Sequence, residues 1–250
     1  MSDKSDSIVI IPTYNEKENI EQIIRTVFDL PHAFDILIID DGSPDGTAAI
    51  VKRLQEKFVG RLHLVERAGK QGLGTAYIAG FHWVLERDYS FVFEMDADFS
   101  HPPKKLLELY DACSMGGADM AVGSRYVGNV VNVVNWPMGR VLMSYYASKY
   151  VRTITGLPVA DTTAGFVCYR REVLQTIELD KIRFKGYAFQ IEMKFTAYKC
   201  GFTIKEVPIV FVNRMKGTSK MSGGIFSEAL FGVIQLKWNS FFRKYPQKHH

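Results

Sequence analysis

Two aspartates separated by one residue follow an apolar run near the middle of the chain. Asp96 and Asp98 lie in the segment FVFEMDADFSHP at residues 91–102. In a regular strand, residues i and i+2 point to the same side, so the two carboxylates would face each other and repel. A hard divalent cation with oxygen ligands relieves such repulsion. The spacing favours a Mg²⁺ or Mn²⁺ site; the simpler alternative is a strand end at which Asp98 or Ser100 caps the next helix.

The elements around this segment predict an open α/β sheet. An apolar run, a proline-containing turn and a helical pattern follow one another here, as at the carboxyl edge of a parallel sheet, where such folds bind ligands. Strands are predicted at 7–12, 35–40, 61–66, 91–96 and 118–123, and helices at 15–29, 45–58 and 75–87. This alternation predicts a largely parallel sheet with right-handed crossovers.

The second half of the chain has a less regular pattern. Residues 127–140 mix glycine, asparagine and proline with apolar residues. Beyond them we predict helices at 140–154, 171–177 and 189–199, and strands at 166–170 and 203–212. Pro208 interrupts the last strand, which places that strand at a sheet edge. Without repeats or linkers, we expect one two-part domain.

Composition and charge limit the partners. The 250 residues are 47% apolar and 23% charged, which suits a soluble α/β domain with a substantial core. Residues 214–248 hold seven Lys and Arg against one acid, which indicates phosphate groups or an anionic membrane surface as partners; a solvated basic tail is the alternative. We expect no nucleic-acid partner.

The cysteines and the hydropathy of the chain predict the cellular compartment of the protein. Cys113, Cys168 and Cys200 form no paired motif, as expected for reduced thiols, and no apolar run approaches the ~18 residues that span a bilayer. We expect a cytoplasmic protein, at most peripheral to the cytoplasmic face of a membrane. His249 and His250 are typical of an expression tag, so a membrane segment beyond residue 250, or a membrane-protein partner, stays open.

The loop after the first predicted strand can bind a nucleotide. It reads PTYNE at residues 12–16, in which Tyr14 can stack on a flat base and Glu16 can accept hydrogen bonds. The alternative is a connecting loop in which Thr13 or Asn15 only caps a helix.

The loop after the second predicted strand is rich in acids and glycines. It reads DDGSPDGT at residues 40–47, and an acid in the position of Asp40 commonly binds a ribose hydroxyl. The chain has neither G-x-G-x-x-G nor G-x-x-x-x-G-K-[ST], so we expect neither a dinucleotide cofactor nor a P-loop. A metal that bridges a diphosphate to Asp96 and Asp98 would hold the nucleotide instead.

Several motifs together resemble glycosyltransferase family 2. They are PTYNE at 12–16, DDGSPDGT at 40–47, GLGTAY at 72–77, MDADFSHP at 95–102, GSRY at 123–126, DTTAGF at 161–166, KGYAFQIEM at 185–193 and EVPIVFVNRMKGTSKMSG at 206–223. Within that family they are most similar to the dolichol-phosphate or polyprenol-phosphate mannose synthases. NWP at 135–137 and KMSG at 220–223 resemble the actinobacterial members.

The resemblance implies a GT-A fold, a GDP-mannose donor, a polyprenyl-phosphate acceptor and Mg²⁺ or Mn²⁺. The implied nucleotide-sugar contacts are Pro12, Tyr14, Glu16, Asp40, Asp96, Ala97, Asp98, Arg214 and Lys220. The implied metal ligands are Asp96 and Asp98, with Ser100 where some relatives carry Gln; a hydroxyl is a poorer ligand. The implied contacts to the acceptor phosphate are Arg125 and Arg140, for which surface ion pairs are the alternative.

This chemistry needs no strong general base. A phosphate monoester has a second pKa near ~6 and is already largely anionic at pH 7. We therefore expect in-line attack by a phosphate oxygen on the anomeric carbon, with inversion, while cations stabilise the leaving diphosphate. Asp96, Asp98, Arg125 and Arg140 are the residues expected to carry catalysis.

The resemblance also divides the chain. We expect a catalytic domain at 1–224, with a nucleotide half at about 1–125 and an acceptor half at about 126–224, and an amphipathic tail at 225–250. Residues 214–220 form a basic loop that can close over the diphosphate. We also expect an interfacial helix at 225–242, for which a helix packed on the core or on a partner is the alternative, and a lipid-contacting cluster at 130–134.

Other functions fit parts of the pattern. A glucosyltransferase that uses UDP-glucose and polyprenyl phosphate would share nearly all these motifs. A haloacid-dehalogenase-type phosphatase also places D-x-D after an apolar strand, but its acid pair normally comes near the N-terminus. A nucleotide-binding subunit without catalysis is the non-enzymatic alternative.

Overall fold

The computed structural model describes residues 5–127, 131–186, 188–212 and 225–248, with side chains described from residue 230 onward in the last range. Its strands are β1 (Ser7–Thr13), β2 (Phe34–Asp40), β3 (Leu62–Glu66), β4 (Phe91–Glu94), β5 (Met120–Ser124), β6 (Val133–Val134), β7 (Val167–Arg170), β8 (Ile204–Pro208) and β9 (Phe211–Val212). Its helices are α1 (Ile20–Phe28), α2 (Thr47–Gln55), α3 (Leu73–Leu85), α4 (Lys105–Ser114), α5 (Met138–Thr155), α6 (Arg171–Thr176), α7 (Ala188–Lys199) and α8 (Ile225–Asn239).

The central sheet has seven strands in the order β3-β2-β1-β4-β7-β5-β8. All neighbouring pairs are parallel except those of β7, which runs antiparallel to β4 and to β5. The apolar runs of β1 and β2 are buried on both faces, as parallel sheets covered by helices require. The predicted, mostly parallel α/β sheet is confirmed.

The direction of β7 decides what lies at the ligand-binding edge. Because β7 is antiparallel, its first residues lie where β4 and β5 end: Val167 pairs with Glu94 on one side and with Val122 on the other. The Gly123 N–H donates to the Phe166 carbonyl at 2.8 Å. The segment that leads into β7 therefore lies between the ends of two parallel strands.

Helices cover both faces of the sheet. One apolar layer includes side chains of α3, α6 and α7, and the other includes side chains of α1, α2 and α4. Helix α3 lies so close to β1 that a Cβ on Gly80 would be 2.9 Å from Ile10. Helix α8 packs through Val233 and Leu236 against α5 and α7.

Two sequence predictions about strands need correction. Strand β4 ends at Glu94, so Asp96 and Asp98 follow it in a turn and do not alternate along a regular strand. The predicted strand at 203–212 is two strands: β8 is the sheet edge, as predicted, but β9 pairs with β6 in a separate two-stranded sheet. Pro208 is the last residue of β8, an edge position at which the missing N–H of proline is tolerated. Within the described residues, no helix has the length and apolarity needed to cross a bilayer.

Candidate active site

Three loops meet where β2, β1 and β4 end. These strands are neighbours in the sheet, so the loops that follow them, at 14–19, 41–46 and 95–104, share one edge. The Thr13 hydroxyl donates to Asp40 Oδ1 at 2.8 Å, and the Asn15 N–H donates to Ser43 Oγ at 2.9 Å. These bonds join the first loop to the second. Neither Thr13 nor Asn15 caps α1, because Asn19 stands at that position.

Asp40 is committed to this connection. Its carboxylate accepts the Ser43 N–H at 2.8 Å and the Ser43 hydroxyl at 2.6 Å as well as the Thr13 hydroxyl. Only 1% of the residue is exposed. The observed role of Asp40 is to order the two loops, and its contact with a ribose or base stays a prediction.

Glu16 and Tyr14 lie beside each other in the first loop. The Glu16 N–H donates to Thr47 Oγ1 at 3.0 Å, and Glu16 Oε2 accepts a hydrogen bond from Asn19 at 3.0 Å. Lys70 Nζ lies 5.6 Å from the centre of the Tyr14 ring. The loop therefore presents an aromatic ring with a cation above it, while Glu16 is buried and Pro12 remains within β1.

Arg67 is a site residue that the sequence did not reveal. Its guanidinium forms two hydrogen bonds with Asp41, at 2.6 and 2.8 Å, and a third with Thr75 Oγ1 at 3.0 Å. Paired donors of this kind fix orientation as well as charge. The D-D pair at 40–41 and the threonine of GLGTAY were the available signals, but no spacing rule joins them to Arg67.

The acidic turn has a specific backbone shape. Phe99 has φ of +61°, in the left-handed region that side chains other than glycine rarely adopt. This conformation lets Asp98 Oδ1 accept the Ser100 N–H at 3.0 Å. Asp98 is only 8% exposed, whereas 41% of the Asp96 side chain is exposed. Helix α4 begins at Lys105, so neither Asp98 nor Ser100 caps it.

His101 supports the same turn from below. Its Nδ1 accepts the Asp96 N–H at 3.1 Å, and its ring stacks on Phe166 with centroids 5.0 Å apart. Because Nδ1 accepts, a neutral ring carries its proton on Nε2, which lies 3.9 Å from Asp96 Oδ2. His101 lies in the MDADFSHP motif, but the motif predicted no role for it.

The donors of the turn fit a hard divalent cation. Asp96 and Asp98 offer carboxylate oxygens, and Ala97 between them is buried. Ser100 Oγ is buried and has no hydrogen-bond partner within the described part of the chain, so this oxygen is available as a further metal ligand. In that same part, no three His, Cys, Asp or Glu side chains form a cage.

Arg125 follows β5 and is locked by Asp161. Its Nε and Nη2 donate to the two carboxylate oxygens at 2.7 and 2.6 Å, and Nη2 also donates to Thr163 Oγ1 at 2.9 Å. Burial alone would raise the pKa of Asp161, but the Arg125 charge and hydrogen bonds outweigh it, and the pKa is lowered. Arg125 is therefore a buried, paired cation, not a surface ion pair.

Arg140 lies in the first turn of α5. Its Cζ is 4.0 Å from the centre of the Trp136 ring, and Arg125 Cζ is 5.5 Å from the same centre. The unpaired N–H groups at the N-terminus of α5 add partial positive charge beside Arg140, and the first turn of α5 contains no acid that would offset it. The structure brings Arg125 and Arg140 together around one indole.

A buried polar chain runs behind the edge. Gln190 Nε2 donates to Glu94 Oε2 at 2.6 Å, and Lys194 Nζ donates to the Ala164 carbonyl at 2.6 Å. Lys194 Nζ is also 3.4 Å from Gln190 Oε1. Burial raises the pKa of Glu94 and lowers that of Lys194. These hydrogen bonds link the strand that precedes the acidic turn to the loop that holds Arg125.

Some predicted contacts lie outside the described residues: Arg214 and Lys220, the loop at 214–220, and Val130.

Comparison with known sequences gives consistent results. The family described as "Glycosyl transferase family 2" matches residues 8–178. The chain is 48% identical over 230 residues to the polyprenol monophosphomannose synthase of Mycolicibacterium smegmatis, with 92% of this chain and 86% of that protein covered. It is 45% identical to the undecaprenyl-phosphate mannosyltransferase of Micrococcus luteus, with 91% of this chain and 92% of that protein covered.

Solved structures share the fold at lower identity. The mannosyltransferase PcManGT of Pyrobaculum calidifontis, in complex with GDP-Man and Mn²⁺, has a TM-score of 0.61 at 18% identity, covering 98% of this chain and 67% of that one. Glucosyl-3-phosphoglycerate synthase of Mycobacterium tuberculosis, in complex with Mn²⁺ and UDP, has a TM-score of 0.63 at 17% identity, covering 93% and 79%. At such identities the likeness concerns the fold alone.

Proposed function

The chain belongs to glycosyltransferase family 2 and has the α/β GT-A fold, and on that premise we propose that it transfers mannose from GDP-mannose to a polyprenyl phosphate. The products are polyprenyl-phosphate mannose and GDP. One observation carries the proposal: an acidic turn and a pair of arginines lie at the same sheet edge, separated by the segment that leads into β7. The mannosyltransferase names of the two relatives support the choice of sugar and acceptor.

The donor side consists of the loops after β1, β2 and β4. Tyr14 would stack on the guanine, and the Asp40 network would keep the first two loops in register around the ribose. Asp96 and Asp98, with the Ser100 hydroxyl, would hold Mg²⁺ or Mn²⁺ and the diphosphate. When bound, the cation supplies positive charge that stabilises the leaving diphosphate. Arg214 and Lys220 are proposed as further diphosphate contacts on the basis of their motif alone.

The acceptor side consists of Arg140, Arg125 and the N-terminus of α5. A guanidinium binds phosphate oxygens through paired donors, and a helix N-terminus attracts an anion through its unpaired N–H groups. Arg140 lies in that first helical turn, while Asp161 keeps Arg125 in a fixed orientation. We assign both arginines to the acceptor phosphate, with Arg140 as the principal contact.

The transfer then needs little proton chemistry. A phosphate oxygen of the acceptor attacks the anomeric carbon while the bond from that carbon to the diphosphate oxygen breaks. The electron pair of the broken bond leaves with GDP, and the configuration inverts. Because the acceptor is already ionised at pH 7, with a second pKa near ~6, no side chain has to remove a proton. The residues contribute by orientation and fixed charge.

The acceptor tail requires a lipid-facing surface, and α5 with α8 supplies a suitable one. Apolar side chains stand out from both helices, and the Tyr150 hydroxyl on α5 donates to the Leu230 carbonyl on α8 at 2.9 Å. The exposed members on the two helices are Met138, Leu142, Met143, Tyr145, Tyr146, Leu230, Phe231, Ile234 and Trp238, and Phe241 and Phe242 follow just after α8. With Lys237, Arg243 and Lys244 nearby, this α5–α8 face suits the interface of an anionic membrane. We propose that residues 1–224 form the catalytic unit and that 225–250 complete this face.

A single assay tests donor and acceptor together. The protein is incubated with polyprenyl phosphate, Mg²⁺ or Mn²⁺, and either labelled GDP-mannose or labelled UDP-glucose. We expect label in the organic phase only with GDP-mannose, and a loss of at least ~100-fold in Asp98→Asn, by the scale of lost electrostatic stabilisation. Transfer from UDP-glucose would reassign the sugar, and tight GDP binding without transfer would favour the non-enzymatic alternative. Family membership excludes the phosphatase interpretation.

A further inference from the structure

Trp136 contacts both arginines of the proposed acceptor site. The centre of its ring is 4.0 Å from Arg140 Cζ and 5.5 Å from Arg125 Cζ. A guanidinium within ~6 Å of an indole face is attracted to the π electrons, and tryptophan is the best of the three aromatic side chains for this contact. The ring therefore stabilises the positions of two cations that would otherwise repel each other.

The backbone holds this ring in place. Asn135 has φ of +61°, a conformation in which asparagine is several-fold enriched, and Pro137 has φ of −58° and leads directly into α5. Phe211 also contacts the indole in an edge-to-face arrangement at a centroid distance of 5.3 Å. Pairing of β6 with β9, with Val133 opposite Phe211, fixes that neighbour.

The polar atom of the ring does not explain its location. Trp136 Nε1 is buried and has no hydrogen-bond partner in the ranges that the structure describes. A buried indole usually finds such a partner, and leaving the donor unpaired costs stability. The face of the ring, rather than its N–H group, makes the contacts observed here.

We propose that Trp136 is a positioning residue that holds the Arg140 guanidinium against the acceptor phosphate through its π face. The proposal rests on the function proposed for Arg140. Asp161 already fixes Arg125, so the contribution of the ring is greatest at the closer cation, Arg140. Transfer therefore depends on the aromatic character of position 136 and not only on its volume.

Substitutions that separate π character from volume test this role. In Trp136→Leu we expect the KM for polyprenyl phosphate to rise about fivefold or more, whereas Trp136→Phe should stay within about twofold, because phenylalanine keeps a cation–π face. The KM for GDP-mannose should not change in either. Trp83→Leu is the matched control, since Arg87 Cζ lies 3.5 Å from the Trp83 ring at the far end of α3; its acceptor KM should equal that of the wild type.

A double variant tests whether Trp136 acts through Arg140. In an Arg140→Ala background, Trp136→Leu should cause no further rise in the acceptor KM, because the cation it positions is gone. Equal losses in Trp136→Phe and Trp136→Leu, additive losses in the double variant, or unchanged kinetics in Trp136→Leu would each overturn the proposal. If the wild type shows no transfer to polyprenyl phosphate, the proposed function fails instead, and the two failures are distinct. Thermal unfolding and GDP binding verify that each variant is folded.

Discussion

Gln190 donates from Nε2 to Glu94 Oε2 over 2.6 Å, and this bond joins the strand that precedes the acidic turn to helix α7. One helical turn further on, Lys194 donates to the Ala164 carbonyl. Both Glu94 and Lys194 are 0% exposed, and burial raises the pKa of Glu94 and lowers that of Lys194, so each group is shifted toward its uncharged form. The amide of Gln190 mediates between them.

Replacing the Glu94 carboxyl with an amide should make stability less dependent on pH. Burial raises the pKa of Glu94 from its ordinary value of 4.5 to about 8, so the wild type loses stability as the pH rises from 4.5 towards 8. Glu94→Gln keeps an oxygen that accepts the bond from Gln190 and has no proton to lose, so we expect its stability relative to the wild type to increase over that range. Urea unfolding at several pH values between about 5 and 8 measures this difference. If the two proteins lose stability in parallel, this account is wrong.

The Arg125–Asp161 pair should make stability depend on pH in acid. The folded pKa of Asp161 lies below its ordinary value of 3.8, so the pair contributes stability above pH 3.8 that is lost as the pH falls through the folded pKa. Asp161→Asn should cost about 3–5 kcal/mol at pH 7, because it removes the carboxylate that pairs with a buried arginine. Urea titrations at several pH values should show this difference shrinking below pH 3.8. A difference of constant size would rule out the pair as its source.

Replacing Arg140 should impair transfer to the acceptor without weakening the binding of the donor nucleotide. We expect Arg140→Ala to reduce transfer by about 100-fold or more, by analogy with loss of one fixed electrostatic donor. Arg140→Lys should restore only part of it, since an ammonium lacks the paired donors of a guanidinium. Calorimetric titration with GDP should give an affinity within about twofold of the wild type, because a charge that does not contact GDP changes its affinity no more than a weak surface ion pair would. A large loss of GDP affinity would move Arg140 to the donor side.

Membrane binding should depend on the apolar side chains of the α5–α8 face. Phe231 is 74% exposed, Trp238 65% and Phe242 75%. Replacing these three with serine should reduce co-flotation with vesicles that contain anionic phospholipid, because burying such rings supplies much of an interfacial helix's affinity. Val59→Ser and Met115→Ser are matched controls, being 80% and 79% exposed elsewhere. Equal flotation of the two sets of variants would reject this face as the membrane contact.

Local patterns in the sequence predicted the elements well but not their long-range partners. The apolar runs of β1 and β2 and the stripe of α1 depend on neighbours in the chain, so their positions could be read directly. The direction of β7 could not, because more than 40 residues separate it from β5, and a long connection permits either orientation. That direction is what places the loop at 161–166 beside Arg125.

The same limit applies to the site. Residue type and spacing pointed to Asp96 and Asp98, and the family resemblance pointed to Arg125 and Arg140; the sheet edge gathers the loops as expected. The partners of these residues lie far away in sequence: Asp161 is 36 residues from Arg125. His101 was the exception, since it stands five residues from Asp96 and its imidazole could have been suspected as a local acceptor.

The late position of β7 in the chain has a consequence for synthesis. Strands β1 to β4 can pair with one another once residue 94 has left the ribosome, but the neighbours of β5 are β7 and β8. At about 5–20 residues per second, β5 waits a few seconds for β7 to be made. During that interval both edges of β5 are open to other strands. The donor half can thus form first, and the acceptor half is where nascent chains are most exposed to mispairing.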